Sequence, residues 1–147
     1  MTRQELTQLI LEAKRKTGLT WSALAETVGA SAVWATAALL GQMTLDKSQA
    51  AAVVAKLALP AEAAALLQEP PTRGSLDGAV PQDPLIYRFY ELVQVYATTW
   101  KALIHEEFGD GIMSAIDFDM TLERQPDPKG DRVRIVMSGK FLPYKRY

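Results

Sequence analysis

The chain has 147 residues, 48% of them hydrophobic, which suits one domain or two small ones with an apolar core. The formal net charge is -1, and Lys plus Arg against Asp plus Glu count seven to six in residues 1–73 and nine to eleven in residues 74–147. Phosphate contacts need clustered Lys and Arg, so this balance argues against nucleic acid or an anionic membrane as the main partner.

Cysteine is absent and His105 is the only histidine. A disulfide framework, a thiolate nucleophile and a Cys-based metal site are therefore excluded. The Asp and Glu residues do not have calcium-loop spacing, so we expect no metal. The polar N-terminus and the absence of a long apolar run predict a cytoplasmic protein without a signal peptide or a membrane span.

The first helices are marked by their start and stop signals. Thr2 and Glu5 have the spacing of a capping box, and apolar residues follow at helical spacing until Gly18. A second helix is predicted from about Thr20 to Val28 and a third from Ser31 to Gly41. Together the last two form a helix-turn-helix pattern.

The helical part is expected to end before a run of prolines. Asp46 predicts the N-cap of a fourth helix, and Pro60 the first turn of a fifth. Residues 70–84 contain four prolines, two glycines and few apolar residues, a composition typical of a connector. We therefore predict a helical bundle in residues 1–73 and a second domain in residues 74–147.

The second domain begins with the longest predicted helix, which Asp83 and Pro84 start and which runs to about Glu107. One side carries an apolar stripe made of Leu85, Phe89, Leu92, Tyr96, Trp100 and Leu103. The other side carries Tyr87, Tyr90 and Gln94 and few charges. A helix with aromatic residues on both sides is usually covered on both sides, which indicates burial against other subunits.

A period-two pattern follows the long helix. Apolar residues alternate with polar ones from Ile116 to Glu123, and a return strand runs from Arg132 to about Gly139 after a Pro-Asp-Pro-Lys-Gly turn. An isolated two-stranded ribbon is marginal, so this sheet also needs a partner. The fold class is α+β, with a helix-turn-helix-like bundle followed by a long helix and a small antiparallel sheet that is expected to pair with another subunit.

The helix-turn-helix pattern permits one alternative function, that of a transcriptional regulator. A recognition helix needs Arg, Lys, Asn or Gln to reach bases and phosphates. The predicted helix from Ser31 to Gly41 has none of these residues. We therefore expect the bundle not to bind DNA.

Three residues could form an anion site. Arg88 and Glu91 are three residues apart on the long helix, and the apolar residues around them would keep solvent from the pair. Ser114 follows a Gly-Asp-Gly corner, where backbone N–H groups and a hydroxyl could point into one cavity. Taken alone, the pair is also typical of a surface ion pair and Ser114 of a turn residue. His105 is assigned no catalytic role.

Long runs of this sequence resemble cyanase, the cyanate hydratase family. They include the Arg-x-x-Glu helix within residues 87–96, the segment 101–106, and Gly-Asp-Gly-Ile-Met-Ser-Ala-Ile within residues 108–116. Residues 139–143 and, more loosely, residues 36–42 extend the likeness over most of the chain. Two differences are Ala97 and Asp117, where the family has glycine and asparagine.

The resemblance implies a reaction and a site. Cyanases join bicarbonate to cyanate and release carbon dioxide, leaving carbamate that gives ammonia and a second carbon dioxide; the role is cyanate detoxification and nitrogen supply. The family's catalytic set falls on Arg88, Glu91 and Ser114. No cofactor is implied, because bicarbonate acts as co-substrate. Cyanases are decamers of five dimers with sites shared between subunits, so a homodecamer is expected.

Overall fold

A computed structural model describes residues 1–74, 78 and 80–146. It confirms the α+β class, with N-terminal helices, one long helix and a two-stranded sheet. The elements are α1 (Arg3–Thr17), α2 (Trp21–Val28), α3 (Ala32–Leu39), α4 (Lys47–Leu57), α5 (Ala63–Gln68), α6 (Pro84–Phe108), β1 (Gly111–Gln125) and β2 (Arg132–Pro143).

The chain divides into two compact units. One comprises Met1–Ser75 with Met120–Val136, and the other comprises Leu76–Asp119 with Met137–Tyr147. Residues 75–77 and 79, which belong to the predicted connector, lie outside the described residues. The domain boundary after residue 73 stays a prediction.

Two capping boxes start helices as predicted. The Glu5 N–H donates to Thr2 Oγ1 at 3.2 Å, and the Thr2 N–H donates to the Glu5 carboxylate at 2.6 Å. The Gln49 N–H donates to Asp46 Oδ1 at 2.8 Å, and the Asp46 N–H donates to Gln49 Oε1 at 3.0 Å. Backbone N–H donors from Thr2 and Gln49 stabilise the charged carboxylates, so the pKa values of Glu5 and Asp46 lie below their usual range.

The helix-turn-helix pattern is present in α2 and α3. Thr20 and Ser31 cap their N-termini, and α2 ends at Gly29, whose φ of 73° is left-handed. The fifth helix begins at Ala63, later than the predicted start near Pro60. The reason is local, because the Ala63 N–H donates to the Pro60 carbonyl at 2.9 Å across a turn that precedes the helix.

The apolar core of the first unit is built from the inner sides of α1 to α5. Its largest fully buried side chains are Leu6, Ile10, Leu24, Leu39, Leu45, Val53 and Leu67. Arg3 links its own helix, α1, to α3 and α5. Its guanidinium donates to the carbonyls of Ala38 at 2.7 Å and Leu66 at 3.3 Å. Burial lowers the pKa of Arg3. These bonds satisfy carbonyls at the ends of α3 and α5.

Helix α6 starts where predicted, with the Asp83 carboxylate accepting the N–H groups of Leu85 and Ile86 at 2.9 Å. Its predicted apolar stripe is exposed along the whole helix in the single chain, and none of its residues is buried. Among the described residues, no helix combines the length and apolar character that crossing a membrane would require.

Strands β1 and β2 form an antiparallel hairpin that is longer than predicted. Its turn closes with a hydrogen bond from the Gly130 N–H to the Asp127 carbonyl at 3.0 Å. Charged pairs surround the turn; they are Arg124–Asp131 at 3.0 Å, Arg132–Asp127 at 3.4 Å and Arg134–Glu123. The apolar residues of β1 are not buried within one chain, and Ile116 is 97% exposed.

Candidate active site

Arg88 and Glu91 form an ion pair on α6, with 3.8 Å between an Arg88 guanidinium nitrogen and a Glu91 carboxylate oxygen. The two side chains are 65% and 51% exposed, so in the single chain solvent reaches the pair that was expected to be shielded. Exposed pairs contribute only about 0–1 kcal/mol to stability. The pair therefore contributes little to the stability of the fold.

One aromatic ring lies beside this pair and packs against a second ring. The guanidinium carbon of Arg88 is 6.0 Å from the centroid of the Tyr87 ring. Tyr87 and Tyr90 pack against each other with ring centroids 5.9 Å apart and planes tilted by 44°. Arg88 thus has a carboxylate and an aromatic ring as its neighbours.

Ser114 is 5% exposed and is the one buried polar residue among those described. It lies within β1, three residues after Gly111, and not in the turn that would be typical of a lone serine. Its Oγ accepts the N–H of Ile116 at 3.0 Å and the N–H of Asp117 at 2.9 Å. A hydroxyl has two acceptor lone pairs and one hydrogen, so both lone pairs are engaged and the hydrogen remains to be donated.

Two glycines allow the strands to approach each other around Ser114. A Cβ on Gly139 would lie 2.4 Å from the Ser114 carbonyl oxygen and 2.7 Å from Cγ of Met113. A Cβ on Gly111 would lie 2.4 Å from the carbonyl oxygen of Leu142. Glycine inside a strand is typical of such close backbone contact.

The C-terminal end of α6 contacts both strands. His105 Nε2 lies 3.2 Å from the Gly111 carbonyl oxygen, and the rings of Phe108 and Phe141 stack at 5.2 Å. The Gly109 N–H donates to the His105 carbonyl at 3.0 Å. These contacts fix the start of β1, three residues before Ser114.

The structure places Arg88 and Glu91 together but does not join them to Ser114 within one chain. Among the described residues, no hydrogen bond or ion pair connects Ser114 to either of them. Arg88 precedes His105 by 17 residues, which is about 25 Å along a helix that rises 1.5 Å per residue. The start of β1 contacts the C-terminal end of that helix, far from Arg88.

Sequence reasoning missed three contributors to this region. Tyr87 was expected only as one of the residues that keep solvent from the Arg88–Glu91 pair, and not as a ring against the guanidinium. Only the general scarcity of glycine in strands could have pointed to Gly139. The N–H groups that meet the Ser114 hydroxyl come from Ile116 and Asp117, which the sequence pattern did not single out. Within the described part of the chain, no group of three Asp, Glu, His or Cys side chains is arranged to hold a metal ion.

Comparison with known proteins gives matches along most of the chain. The family model for the N-terminal part of cyanate hydratase matches residues 3–71, and that for the cyanate lyase C-terminal domain matches residues 78–146. Cyanate hydratases of Ralstonia pickettii and Dechloromonas aromatica are 69% and 67% identical, each over the whole of both chains.

A solved structure agrees with the sequence relatives. The crystal structure of cyanase from T. urticae superposes with a TM-score of 0.79 at 39% identity and covers 94% of this chain and 96% of that one. None of these relatives favours the transcriptional regulator. The chain is therefore an enzyme of the lyase class that belongs to the cyanate hydratase, or cyanase, family.

Proposed function

We propose that the enzyme decomposes cyanate with bicarbonate as co-substrate. A bicarbonate oxygen attacks the cyanate carbon, the resulting dianion loses carbon dioxide, and protonation gives carbamate. Carbamate then takes up a proton and separates into ammonia and a second carbon dioxide. The balance is one cyanate, one bicarbonate and two protons in, and one ammonia and two carbon dioxide molecules out. The Arg88–Glu91 pair, in a chain of this family, is the observation that carries the proposal.

Both substrates are anions, and their mutual repulsion is the main obstacle to the first step. Two unit charges about 4 Å apart repel by about 1 kcal/mol in water and by about 4 kcal/mol at an effective dielectric near 20. A site that removes water from these substrates must therefore supply positive charge.

Arg88 supplies that charge and orients the two anions. A guanidinium offers several N–H donors in a rigid plane that matches a carboxylate or a carbonate. Glu91 lies 3.8 Å from the guanidinium and attracts it by its opposite charge, without a hydrogen bond between the two side chains. Positioned charge of this kind stabilises the dianion as it forms.

Ser114 acts as a hydrogen-bond donor in this proposal. The N–H groups of Ile116 and Asp117 occupy the oxygen of its hydroxyl, which leaves the hydrogen for an anion. With its oxygen engaged in this way, the hydroxyl is poorly prepared to act as a nucleophile. No covalent intermediate and no cofactor are needed.

The site is completed by a second copy of the chain. Ser114 and Arg88 are not joined within one chain, and the apolar side chains of α6 and β1 are exposed there. A partner subunit that covers these surfaces brings one chain's Ser114 to another chain's Arg88. Two Arg88 side chains would also neutralise a dianion better than one. We propose a homodecamer of five dimers in the cytoplasm, with a role in cyanate detoxification and nitrogen supply.

Isotopically labelled cyanate tests the reaction. We expect the labelled cyanate to be converted into a transient labelled carbamate and then into labelled carbon dioxide. The rate of this conversion should saturate with added bicarbonate. Cyanate consumption at a rate independent of bicarbonate would refute the proposed chemistry.

Mixing two inactive variants tests the shared site. Arg88→Ala and Ser114→Ala subunits, dissociated and reassembled together, should regain a fraction of the wild-type rate because some sites then hold one intact residue of each kind. Each variant dissociated and reassembled alone is the control. No recovery in mixed oligomers of the correct size would refute sharing.

A further inference from the structure

Arg88 is held loosely by its carboxylate partner. The 3.8 Å between its nitrogen and the Glu91 oxygen exceeds the roughly 2.7–3.2 Å of an N–H···O hydrogen bond. Arginine has a long side chain with many rotamers, so one loose contact does not define where its guanidinium points. A second neighbour is needed to fix its direction.

Tyr87 provides that neighbour. The Arg88 guanidinium carbon lies over the Tyr87 ring at 6.0 Å from its centroid, within the range of a cation–π interaction. The Tyr87 ring is itself only partly exposed and rests on Tyr90 at 5.9 Å. The negative face of a supported ring gives the guanidinium a defined second contact.

The ring of Tyr87, and not its hydroxyl, makes this contact. In the described part of the chain the Tyr87 hydroxyl has no hydrogen-bond partner, and the ring supplies both the contact with Arg88 and the contact with Tyr90. Phenylalanine at this position would keep both contacts, whereas an aliphatic side chain would keep the bulk and lose the electron-rich ring face.

From this geometry we infer that Tyr87 is a positioning residue, which orients the Arg88 guanidinium toward the substrate anions. The inference rests on the proposed function, in which Arg88 binds cyanate and bicarbonate. A looser guanidinium binds the anions less well both before and during the reaction. Loss of the ring should therefore raise KM more than it lowers kcat.

The test compares Tyr87→Leu with Tyr87→Phe in the full-length enzyme. We expect the leucine variant to raise KM for both anions about two- to fivefold, the range of an exposed cation–π contact, and the phenylalanine variant to remain within about twofold of wild type. Tyr144→Leu is the matched control, because the Tyr144 ring is exposed and lies in the C-terminal segment.

Coupling to Glu91 separates positioning from a merely structural role. If Tyr87 acts through Arg88, the effects of Tyr87→Leu and Glu91→Gln on KM will not multiply in the double variant. Multiplicative effects, an unchanged KM in Tyr87→Leu, or equal damage in Tyr87→Phe would each overturn the inference. If the leucine variant does not assemble, Tyr87→Met replaces it in the same comparisons.

The wild-type rate distinguishes a failure of the proposed function from a failure of the role inferred for Tyr87. Absence of bicarbonate-dependent ammonia release from wild-type oligomer would refute the proposed function itself. Normal release by wild type together with an unaffected Tyr87→Leu variant would refute only the role of Tyr87.

Discussion

Replacing Gly139 with alanine should displace the strand that carries Ser114. The added Cβ would lie 2.4 Å from the Ser114 carbonyl oxygen, while ordinary contacts of this kind begin at 3.4 Å, so the strands must separate by about 1 Å. The obstacle is backbone, which cannot rotate away as a side chain can. Overpacking of this kind typically costs about 1–3 kcal/mol.

The displacement should be visible in both stability and activity. For a chain of this size the expected fall in melting temperature is about 2–12 °C. A misplacement of about 1 Å in a catalytic group can lower the rate about 100-fold. Thermal unfolding and ammonia release from cyanate with bicarbonate would measure the two effects.

Gly78→Ala is the matched control for this experiment. In the described part of the chain no heavy atom lies within 4 Å of a Cβ built on Gly78, so this variant should melt and react like wild type. A Gly139→Ala variant with the stability and rate of wild type would refute the argument that close strand approach positions Ser114.

Three further predictions concern burial and charge. Ser114→Ala leaves two N–H groups without their acceptor and should lower the free energy of unfolding in urea by about 1–3 kcal/mol, besides lowering turnover; unchanged stability would contradict this. Leu24→Ala should cost the bundle about 2–5 kcal/mol in the same assay, and a loss well below that range would contradict close packing around this fully buried side chain. Hydrogen bonds lower the pKa values of Glu5 and Asp46, so their contribution to stability is present above the ordinary values of 4.5 and 3.8 and is lost as pH falls through the folded-state values. Glu5→Gln and Asp46→Asn should therefore flatten the acid side of the stability profile, and a profile identical to wild type would contradict the assignment.

Local signals in the sequence were sufficient to predict where most of the helices begin. Capping residues act within one turn of the helix they start, which is why Thr2, Asp46 and Asp83 predicted the beginnings of α1, α4 and α6. Helix α5 begins at Ala63, three residues after Pro60, because Pro60 accepts a turn hydrogen bond, and a proline alone does not distinguish a turn from the first turn of a helix.

Non-local contacts decided what the sequence could not predict. β1 begins at Gly111 and includes Ser114 because β2 approaches closely there, a fact that depends on Gly139, which is 25 residues further along the chain. The membership of Arg88 and Glu91 in one pair followed from helical spacing. Only the three-dimensional structure showed that this pair is not linked to Ser114 within one chain.

Ammonia release from purified oligomer is the most direct test of the central claim. Cyanate would be supplied with and without bicarbonate to wild type, to Arg88→Ala and to Arg15→Ala, which removes an exposed arginine from α1. The account predicts bicarbonate-dependent release by wild type and Arg15→Ala and a loss of that release in Arg88→Ala. Release that does not need bicarbonate, or that survives in Arg88→Ala, would contradict it.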